Sequence, residues 1–329
     1  MPQTSIAPIP EPNNRDSLST FARDVRDGLL ARPKKLSSKY FYDQKGDALF
    51  QAIMAMPEYY LTDCELEIFK NCANELAEEI GQQPIDLIEL GAGDGTKTQH
   101  LIQGLLDAQK DLRYLPIDIS ANALEGLGNR ISHQFPDLPF VPLQGEYFKA
   151  LEGFSSVKAE RTRLFLFPGA NIGNFSPEDA RRFLRELRNY LRLGDYLLIG
   201  FDLKKDPQLI LAAYNDASGH TAAFNLNLLA RINRELGANF DLNNWQHWET
   251  YDPLSGAARS FLVAKTAQNV LIKQLDMEFR FEAWETISVE ISQKYSLSEV
   301  ERMAPAAGYQ FIRHFQDQRA WFSDSLWKV

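Results

Sequence analysis

The length and charge of the chain already narrow its possible functions. Its 329 residues are 44% hydrophobic and 24% charged, which is enough to bury a large core and is the length at which one domain usually becomes two. Asp and Glu outnumber Lys and Arg by 44 to 35, for a formal net charge of -9. This disfavours a nucleic-acid substrate, because phosphate contacts need clustered basic residues. We therefore expect two domains and a small polar substrate.

The cysteines and the N-terminal residues indicate neither a secreted nor a membrane protein. Cys64 and Cys72 are the two cysteines, and they lack a CxxC or zinc-ligand spacing, so we expect reduced thiols and no metal site. Residues 1–17 lack the apolar core of a signal peptide, and no segment approaches the roughly 18 apolar residues of a membrane span. We expect a cytoplasmic monomer without membrane contacts, with a flexible leader over 1–17.

Apolar and amphipathic segments alternate through the first two thirds of the chain. The apolar segments predict strands over 85–90, 112–119, 139–145, 163–170 and 195–203. The amphipathic segments predict helices near 64–81, 97–109, 120–134 and 177–193. Ser176 followed by Pro177 and two acids is typical of a helix N-terminus. The β-α order predicts a doubly wound, parallel α/β sheet.

A glycine-rich turn over 91–95 follows the first predicted strand. Its alternating glycines, beginning with Gly91, can take positive φ and bring backbone close to a ligand. The third glycine comes one residue early for a dinucleotide fingerprint, and Glu89 and Asp94 place carboxylates that would repel a diphosphate. Asp118 ends the next predicted strand, where a carboxylate can accept from both ribose hydroxyls. These features favour S-adenosylmethionine (SAM) over a nicotinamide cofactor, with a plain tight turn as the alternative.

The pattern changes after residue 204. A polar helical region comes first, and alternating runs at 259–274, 276–283 and 286–295 then predict antiparallel strands. Ser296 and Glu299 form a capping box that opens a helix. Gln310–Gln316 and residues 320–328 predict two final strands, so we expect the first sheet to resume here.

Several separated strings together resemble the histidine-specific, SAM-dependent Nα-methyltransferases of the ergothioneine pathway. The strings lie at 39–43, 57–60, 89–98, 169–174, 214–227, 231–236 and 290–295. The resemblance implies trimethylation of the α-amine of L-histidine to hercynine, by successive in-line methyl transfers from SAM. It implies a class I methyltransferase fold with a second α+β domain inserted between strands five and six. The SAM-binding domain would comprise 63–203 plus 295–329, and the substrate-binding domain 18–62 plus 204–294.

The resemblance also assigns site residues. The cofactor would meet Tyr42, Gly91, Lys97, Asp118, Glu146 and Tyr147, the last two replacing an Asp-Phe pair of the family. The substrate would meet Tyr59, Gly169, Asn174, Tyr214, Glu290 and Ser292. Asn174 and Tyr214 would hold the carboxylate, Gly169 would lie near the amine and Tyr59 beside the ring. No residue is expected to act as a dedicated base.

Glu290 and Ser292 also carry a prediction of their own. Polar and apolar residues alternate over 287–292, so both side chains leave the same face of a strand. A carboxylate and a hydroxyl there can bond both nitrogens of an imidazole and fix its orientation. The alternative for this pair is a solvated face of an antiparallel sheet.

Several of these side chains are also compatible with a purely structural role. Asn174 could shape an Asx-turn, Tyr59 and Tyr214 could be ordinary core aromatics, and Lys97 a surface lysine. Ser260 stands where the family usually has a methionine, which allows another aromatic amino acid, such as tryptophan, as substrate. A protein that binds SAM without catalysis is a further interpretation of the same residues.

Overall fold

The computed structural model describes residues 18–154 and 161–329, and the predicted leader at 1–17 lies outside the described residues. The α-helices are α1 (Thr20–Leu30), α2 (Gln44–Met54), α3 (Leu61–Asn71), α4 (Ala73–Ile80), α5 (Thr98–Asp107), α6 (Ala121–Gln134), α7 (Tyr147–Phe154), α8 (Pro177–Arg188), α9 (Pro207–Tyr214), α10 (His220–Leu236) and α11 (Leu297–Ala306). The strands are β1 (Ile85–Leu90), β2 (Leu112–Asp118), β3 (Leu143–Gln144), β4 (Thr162–Phe167), β5 (Tyr196–Asp202), β6 (Trp245–Asp252), β7 (Ala257–Ala264), β8 (Gln268–Ile272), β9 (Met277–Phe281), β10 (Thr286–Gln293), β11 (Gln310–Gln316) and β12 (Phe322–Lys328).

The chain divides into two compact units. The larger unit comprises Gln51–Ser218, Glu249–Arg259 and Ile291–Val329, and the smaller unit comprises Met1–Phe50, Gly219–Trp248 and Ser260–Glu290. These bounds differ from the predicted domains, because 51–62, 204–218, 249–259 and 291–294 belong to the larger unit. The assignment of substrate binding to 18–62 plus 204–294 stays a prediction.

A seven-stranded sheet forms the centre of the larger unit. Its strand order is β11-β12-β5-β4-β1-β2-β3. Neighbours from β5 to β3 pair in parallel, whereas β12 is antiparallel to both β5 and β11. This mixed order, with the last strand inserted beside β5, confirms the predicted class I α/β fold.

Helices cover both faces of this sheet. Leu87 on β1 belongs to a buried cluster with residues of α3, α4 and α5, whereas its neighbour Ile88 belongs to a cluster with residues of α8 and α11. Successive side chains of a strand point to opposite faces, and a strand covered on both faces is apolar throughout. Each large apolar side chain buried in this way contributes about 1.5–3 kcal/mol.

Two predicted helix starts are confirmed in detail. The Ser176 side chain accepts from the backbone N–H of Asp179 at the start of α8. Ser296 and Glu299 form the predicted capping box of α11, in which each side chain accepts from the other residue's backbone N–H. Cys64 and Cys72 are free and buried, as expected for structural thiols.

Several predicted boundaries are wrong. The helix predicted over 64–81 is two helices, α3 and α4, which meet at Cys72. The strand predicted over 139–145 is interrupted: Phe140 forms an isolated bridge to Tyr114 of β2, and Leu143–Gln144 pair with the end of β2. Pro142 lies between them and has no N–H to donate to a ladder. The run predicted over 259–274 divides into β7 and β8, and the helix predicted to residue 193 ends at Arg188.

The smaller unit combines helices with short antiparallel strands. β8 and β9 form a hairpin in which Val270 pairs with Phe279. The rings of Trp245 and Phe281 pack edge to face, with centroids 5.0 Å apart. β6, β7 and β10 form a three-stranded sheet, and parts of each of these strands belong to each unit.

Among the helices of the described ranges, none has both the length and the apolar content that crossing a membrane would take.

Candidate functional site

The glycine turn after β1 brings backbone close to a carboxylate and a tyrosine. Gly91 has φ +76°, and a Cβ placed there would lie 2.8 Å from Tyr147 Oη. Asp118, at the carboxyl end of β2, accepts from Gly93 N–H at 3.0 Å and from Ser120 N–H at 2.9 Å. The turn therefore needs glycine, and the Asp118 oxygens keep lone pairs that can accept from a ribose.

The two acids predicted beside this turn have structural bonds. Glu89 is fully buried and accepts from Thr98 Oγ1 at 2.7 Å and from the hydroxyl of Tyr114. Burial raises its pKa to about 7, against the opposing effect of those two hydrogen bonds. Asp94 is exposed and accepts from Thr96 N–H. Glu89 thus ties β1 to β2 and α5, a role that the sequence did not indicate.

Glu65 links two of the predicted site residues. This buried carboxylate on α3 accepts from Lys97 Nζ and, at 2.6 Å, from the backbone N–H of Gly169. A Cβ at Gly169 would lie 3.7 Å from Lys97 Nζ, so the lysine lies beside this glycine. Gly169 itself has φ +74°. One acid therefore holds a predicted cofactor residue and a predicted substrate residue in place.

A third carboxyl completes this group. Asp324 on β12 is buried, and burial raises its pKa well above the usual range, helped by the neighbouring charge of Glu65 and opposed by Lys97. We call Glu65, Glu89, Lys97 and Asp324 the acidic cluster, because three carboxyls surround one ammonium group. The raised pKa favours a proton on Asp324, which limits the repulsion among the acids.

Tyr214 and Ser292, both predicted to bind substrate, are hydrogen-bonded to each other. Their hydroxyl oxygens lie 2.8 Å apart. Lys294 donates to Tyr214 Oη at 2.8 Å and to Ser292 Oγ at 2.7 Å. The ring of Tyr59 meets that of Tyr214 edge to face at 6.3 Å. The structure therefore assembles three predicted substrate residues and adds a buried lysine to them.

Lys294 belongs to a second group of buried charges. Its Nζ lies 2.8 Å from Asp202 Oδ2, and Lys205 bonds the other oxygen of the same carboxylate. Tyr60 also donates to Asp202, at 2.9 Å. Burial works to raise the pKa of Asp202, yet the two lysines hold it below its usual range. We call Asp202, Lys205 and Lys294 the basic cluster.

Two predicted residues of the larger unit lie outside these clusters. Asn174 ends the short 3-10 helix Asn171–Asn174 and is exposed. Glu146 is also exposed, with its carboxylate 3.8 Å from Lys149. Their assigned roles stay predictions.

Three further residues of interest belong to the smaller unit. Tyr42 is 44% exposed, and its ring meets those of Phe50 and Phe224 edge to face. Arg231 donates to the carbonyl of Tyr42 at 3.3 Å and so anchors this loop to α10. Glu290 is half-buried on β10, two residues before Ser292, and Ser260 is buried on β7.

The residues that sequence reasoning missed are the partners of those it found. Asp202 ends β5, and a carboxylate at the end of a parallel strand is a signal that could have drawn attention to it. Lys294 lies within the string 290–295 that carried the resemblance. Glu65 and Asp324 gave no local signal, because each is one acid on an otherwise ordinary helix or strand.

Comparisons with known proteins show which family the chain belongs to. The model of the family described as "Histidine-specific methyltransferase, SAM-dependent" matches residues 21–329. The chain is 37% identical over 304 residues to the histidine N-alpha-methyltransferase of Mycolicibacterium smegmatis, covering 92% of this chain and 93% of that protein. It is 30% identical to ergothioneine biosynthesis protein 1 of Schizosaccharomyces pombe, covering 88% of this chain and 38% of that protein. Identity to the 4-dimethylallyltryptophan N-methyltransferase easF of Trichophyton verrucosum is 26%, covering 91% of this chain and 90% of that protein.

Proposed function

We propose that the chain trimethylates the α-amine of L-histidine to hercynine. The premise is that the chain belongs to the family of histidine-specific, SAM-dependent methyltransferases. The chain is an enzyme that uses SAM to methylate a small molecule. The observation that carries the proposal is that the family match includes both the glycine turn after β1 and strand β10, which bears Glu290 and Ser292.

The residues around the glycine turn fit SAM. Gly91 leaves room where a side chain would collide with Tyr147, and the Asp118 carboxylate lies where ribose hydroxyls can donate. When bound, SAM supplies a methyl group on a positively charged sulfur. We assign the ribose to Asp118, the cofactor carboxylate to Lys97, the adenine end to Glu146 and Tyr147, and a covering contact to Tyr42.

The substrate roles follow the chemistry of the side chains. Tyr214 and Asn174 would hold the carboxylate of histidine, while Glu290 and Ser292 would fix its imidazole. The backbone of Gly169 would lie near the amine, and Tyr59 beside the ring. Support comes from the hydrogen bond between Tyr214 and Ser292, which joins two of the assigned residues in the larger unit.

Positioning supplies most of the catalysis in this proposal. The amine must arrive without its extra proton, and it reacts once its lone pair is held in line with the methyl group. Excluding water favours the step, because the positive charge is dispersed as it moves from sulfur to nitrogen. No residue is assigned as a dedicated base. After each of the first two transfers the new ammonium must lose a proton to solvent, and S-adenosylhomocysteine must be replaced by SAM. With the carboxylate and ring held, the amine can then rotate and react again, for three transfers in all.

A labelling experiment tests cofactor, acceptor and turnover together. Purified protein is incubated with methyl-labelled SAM and each of the 20 amino acids in turn, and products are read by mass spectrometry. We expect mono-, di- and trimethylhistidine, with the trimethyl form accumulating. Methylation of tryptophan in place of histidine would support the alternative acceptor, and binding of SAM without transfer would indicate a non-catalytic protein.

Three further expectations stay predictions: that the protein is monomeric, that it is cytoplasmic, and that it does not bind nucleic acid. Light scattering on the purified protein checks the first of these.

A further inference from the structure

Lys294 is a buried ammonium group with three hydrogen-bond partners. Its side chain is 0% exposed, and its Nζ bonds Asp202 Oδ2, Tyr214 Oη and Ser292 Oγ at 2.8, 2.8 and 2.7 Å. An ammonium has three N–H donors and no acceptor. All three donors are therefore used, and two of them go to the hydroxyls that the proposed function assigns to substrate.

These bonds determine what the two hydroxyls can offer a ligand. Tyr214 and Ser292 each have one O–H, and each oxygen already accepts from Lys294. One hydroxyl donates to the other across their 2.8 Å contact, so the pair has at most one O–H to offer a ligand. That remaining hydrogen suits an acceptor, and a carboxylate oxygen is the strongest acceptor that an amino acid carries.

The charges around Lys294 favour the same ligand. Within the described parts of the chain, Asp202 is the carboxylate that pairs with both Lys294 and Lys205. Two ammonium groups thus share one buried carboxylate. Buried charge that lacks a full complement of opposite charge is costly, and a bound anion next to it lowers that cost.

We propose that Lys294 is a positioning and specificity-determining residue, which orients the hydroxyls of Tyr214 and Ser292 and makes the site select a substrate with a free carboxylate. This inference rests on the proposed function, because it takes Tyr214 as the carboxylate ligand. Lys294 acts through the two hydroxyls and does not touch the reacting atoms.

The chain offers a closely matched control. Lys205→Met removes the other ammonium from Asp202, yet Lys205 bonds Tyr60 and the Leu203 carbonyl and not the two hydroxyls. Lys294→Met, in which Asp202 keeps Lys205 as its partner, is compared with this control. The double variant Asp202→Asn, Lys294→Met removes one acid and one lysine, so it leaves the net charge of the basic cluster unchanged. Thermal denaturation and the Kd for SAM identify the variants that fold.

The readout is the ratio of inhibition or affinity constants for L-histidine and for histamine, which keeps the imidazole and amine but lacks the carboxylate. We expect Lys294→Met and the double variant to weaken histidine about 10- to 100-fold, the range for hydrogen bonds that involve a charged group. Histamine should weaken less than histidine, because it keeps the imidazole assigned to Ser292 but has no carboxylate for Tyr214. Lys205→Met should lower the ratio less than Lys294→Met does, because it removes one charge near the site but no bond to either hydroxyl.

The pattern of losses separates the two proposals. Equal losses for histidine and histamine in Lys294→Met, or the same fall in the ratio in Lys205→Met, would overturn the role of Lys294 and leave the proposed function intact. If the unmodified enzyme makes no methylated histidine, the proposed function itself fails before any variant is compared.

Discussion

The acidic cluster and the basic cluster, both in the larger unit, differ in which type of ionisable group is in excess. In the acidic cluster three carboxyls surround Lys97, and burial raises the pKa of Asp324 well above its usual range. In the basic cluster two lysines share Asp202, whose pKa is lowered by them against the effect of burial. One group of buried residues therefore holds excess acid and the other excess base.

This difference matches the charges of the two proposed ligands. SAM carries a sulfonium and an ammonium, so its net charge is positive, and the acidic cluster lies beside the glycine turn. The methyl acceptor reacts with a neutral amine and a charged carboxylate, so it is an anion, and the basic cluster holds the hydroxyls assigned to it. Electrostatic complementarity of this kind favours SAM beside the acidic cluster and the methyl acceptor beside the basic cluster, and disfavours the reverse arrangement.

Removing the single cation of the acidic cluster should have the largest effect. In Lys97→Met, the fully buried Glu65 loses an ion-pair partner that is itself 23% exposed. We therefore expect a stability loss near the lower end of the about 3–5 kcal/mol that breaking a buried pair costs. We also expect the Kd for SAM to rise about 100-fold, measured by calorimetry. Lys149→Met, on an exposed pair, is the control, and an unchanged Kd in Lys97→Met would rule out its assigned contact with the cofactor.

The acidic cluster should also give the protein a distinctive pH dependence. The pKa of Glu89 rises from 4.5 to about 7 on folding, so its contribution is fully present below pH 4.5 and is lost as the pH rises towards 7. The shift corresponds to about 3 kcal/mol. We expect wild type to lose stability relative to Glu89→Gln as the pH rises over this interval, and the difference to level off above it. Urea unfolding at each pH measures this difference. A flat difference would contradict the raised pKa.

Removing one hydroxyl beside the basic cluster should have an intermediate effect. Tyr214→Phe takes away an acceptor of Lys294 and the bond to Ser292, and we expect histidine binding to weaken by about 1.5–3 kcal/mol. Binding of SAM should be unaffected. Tyr60→Phe removes a hydroxyl that bonds Asp202 but touches neither Ser292 nor Lys294; equal losses in the two variants would argue that the network is structural only.

Replacing one member of an exposed ion pair should change stability least, in contrast with replacements in either cluster. Glu146 lies 3.8 Å from Lys149 and both side chains are exposed. Glu146→Ala should change the free energy of unfolding by less than about 0.5 kcal/mol. If Glu146 meets the adenine end of the cofactor, the Kd for SAM should still rise about threefold to tenfold, the cost of one ordinary hydrogen bond. A stability loss as large as that of Lys97→Met would show that exposure is a poor guide here.

Local chemistry explains which parts of the molecule could be predicted. The glycine turn, the strand end at Asp118 and the two helix caps were each indicated by the residues immediately around them, and all of them occur there. The clusters instead join residues far apart in the chain. Glu65 and Gly169 are separated by 104 positions and Tyr214 and Ser292 by 78, so no local pattern could pair them.

Buried ionisable residues were the hardest part to foresee. Asp324 and Lys294 occur in strands or strand ends where a charged residue usually faces solvent. Their burial depends on partners supplied by other elements, which only the folded chain brings together. The missed boundaries have a similar cause, since the alternation over 259–274 continues through the turn that separates β7 from β8.

The position of β12 bears on the order in which the protein can fold during synthesis. This strand, Phe322–Lys328, pairs with β5 on one side and with β11 on the other. Until the ribosome has translated past residue 328, β5 presents an open edge on which another nascent chain can pair. Completion of the sheet and delivery of Asp324 to the acidic cluster are therefore a single late event, so a chain stopped shortly before residue 322 would lose both together.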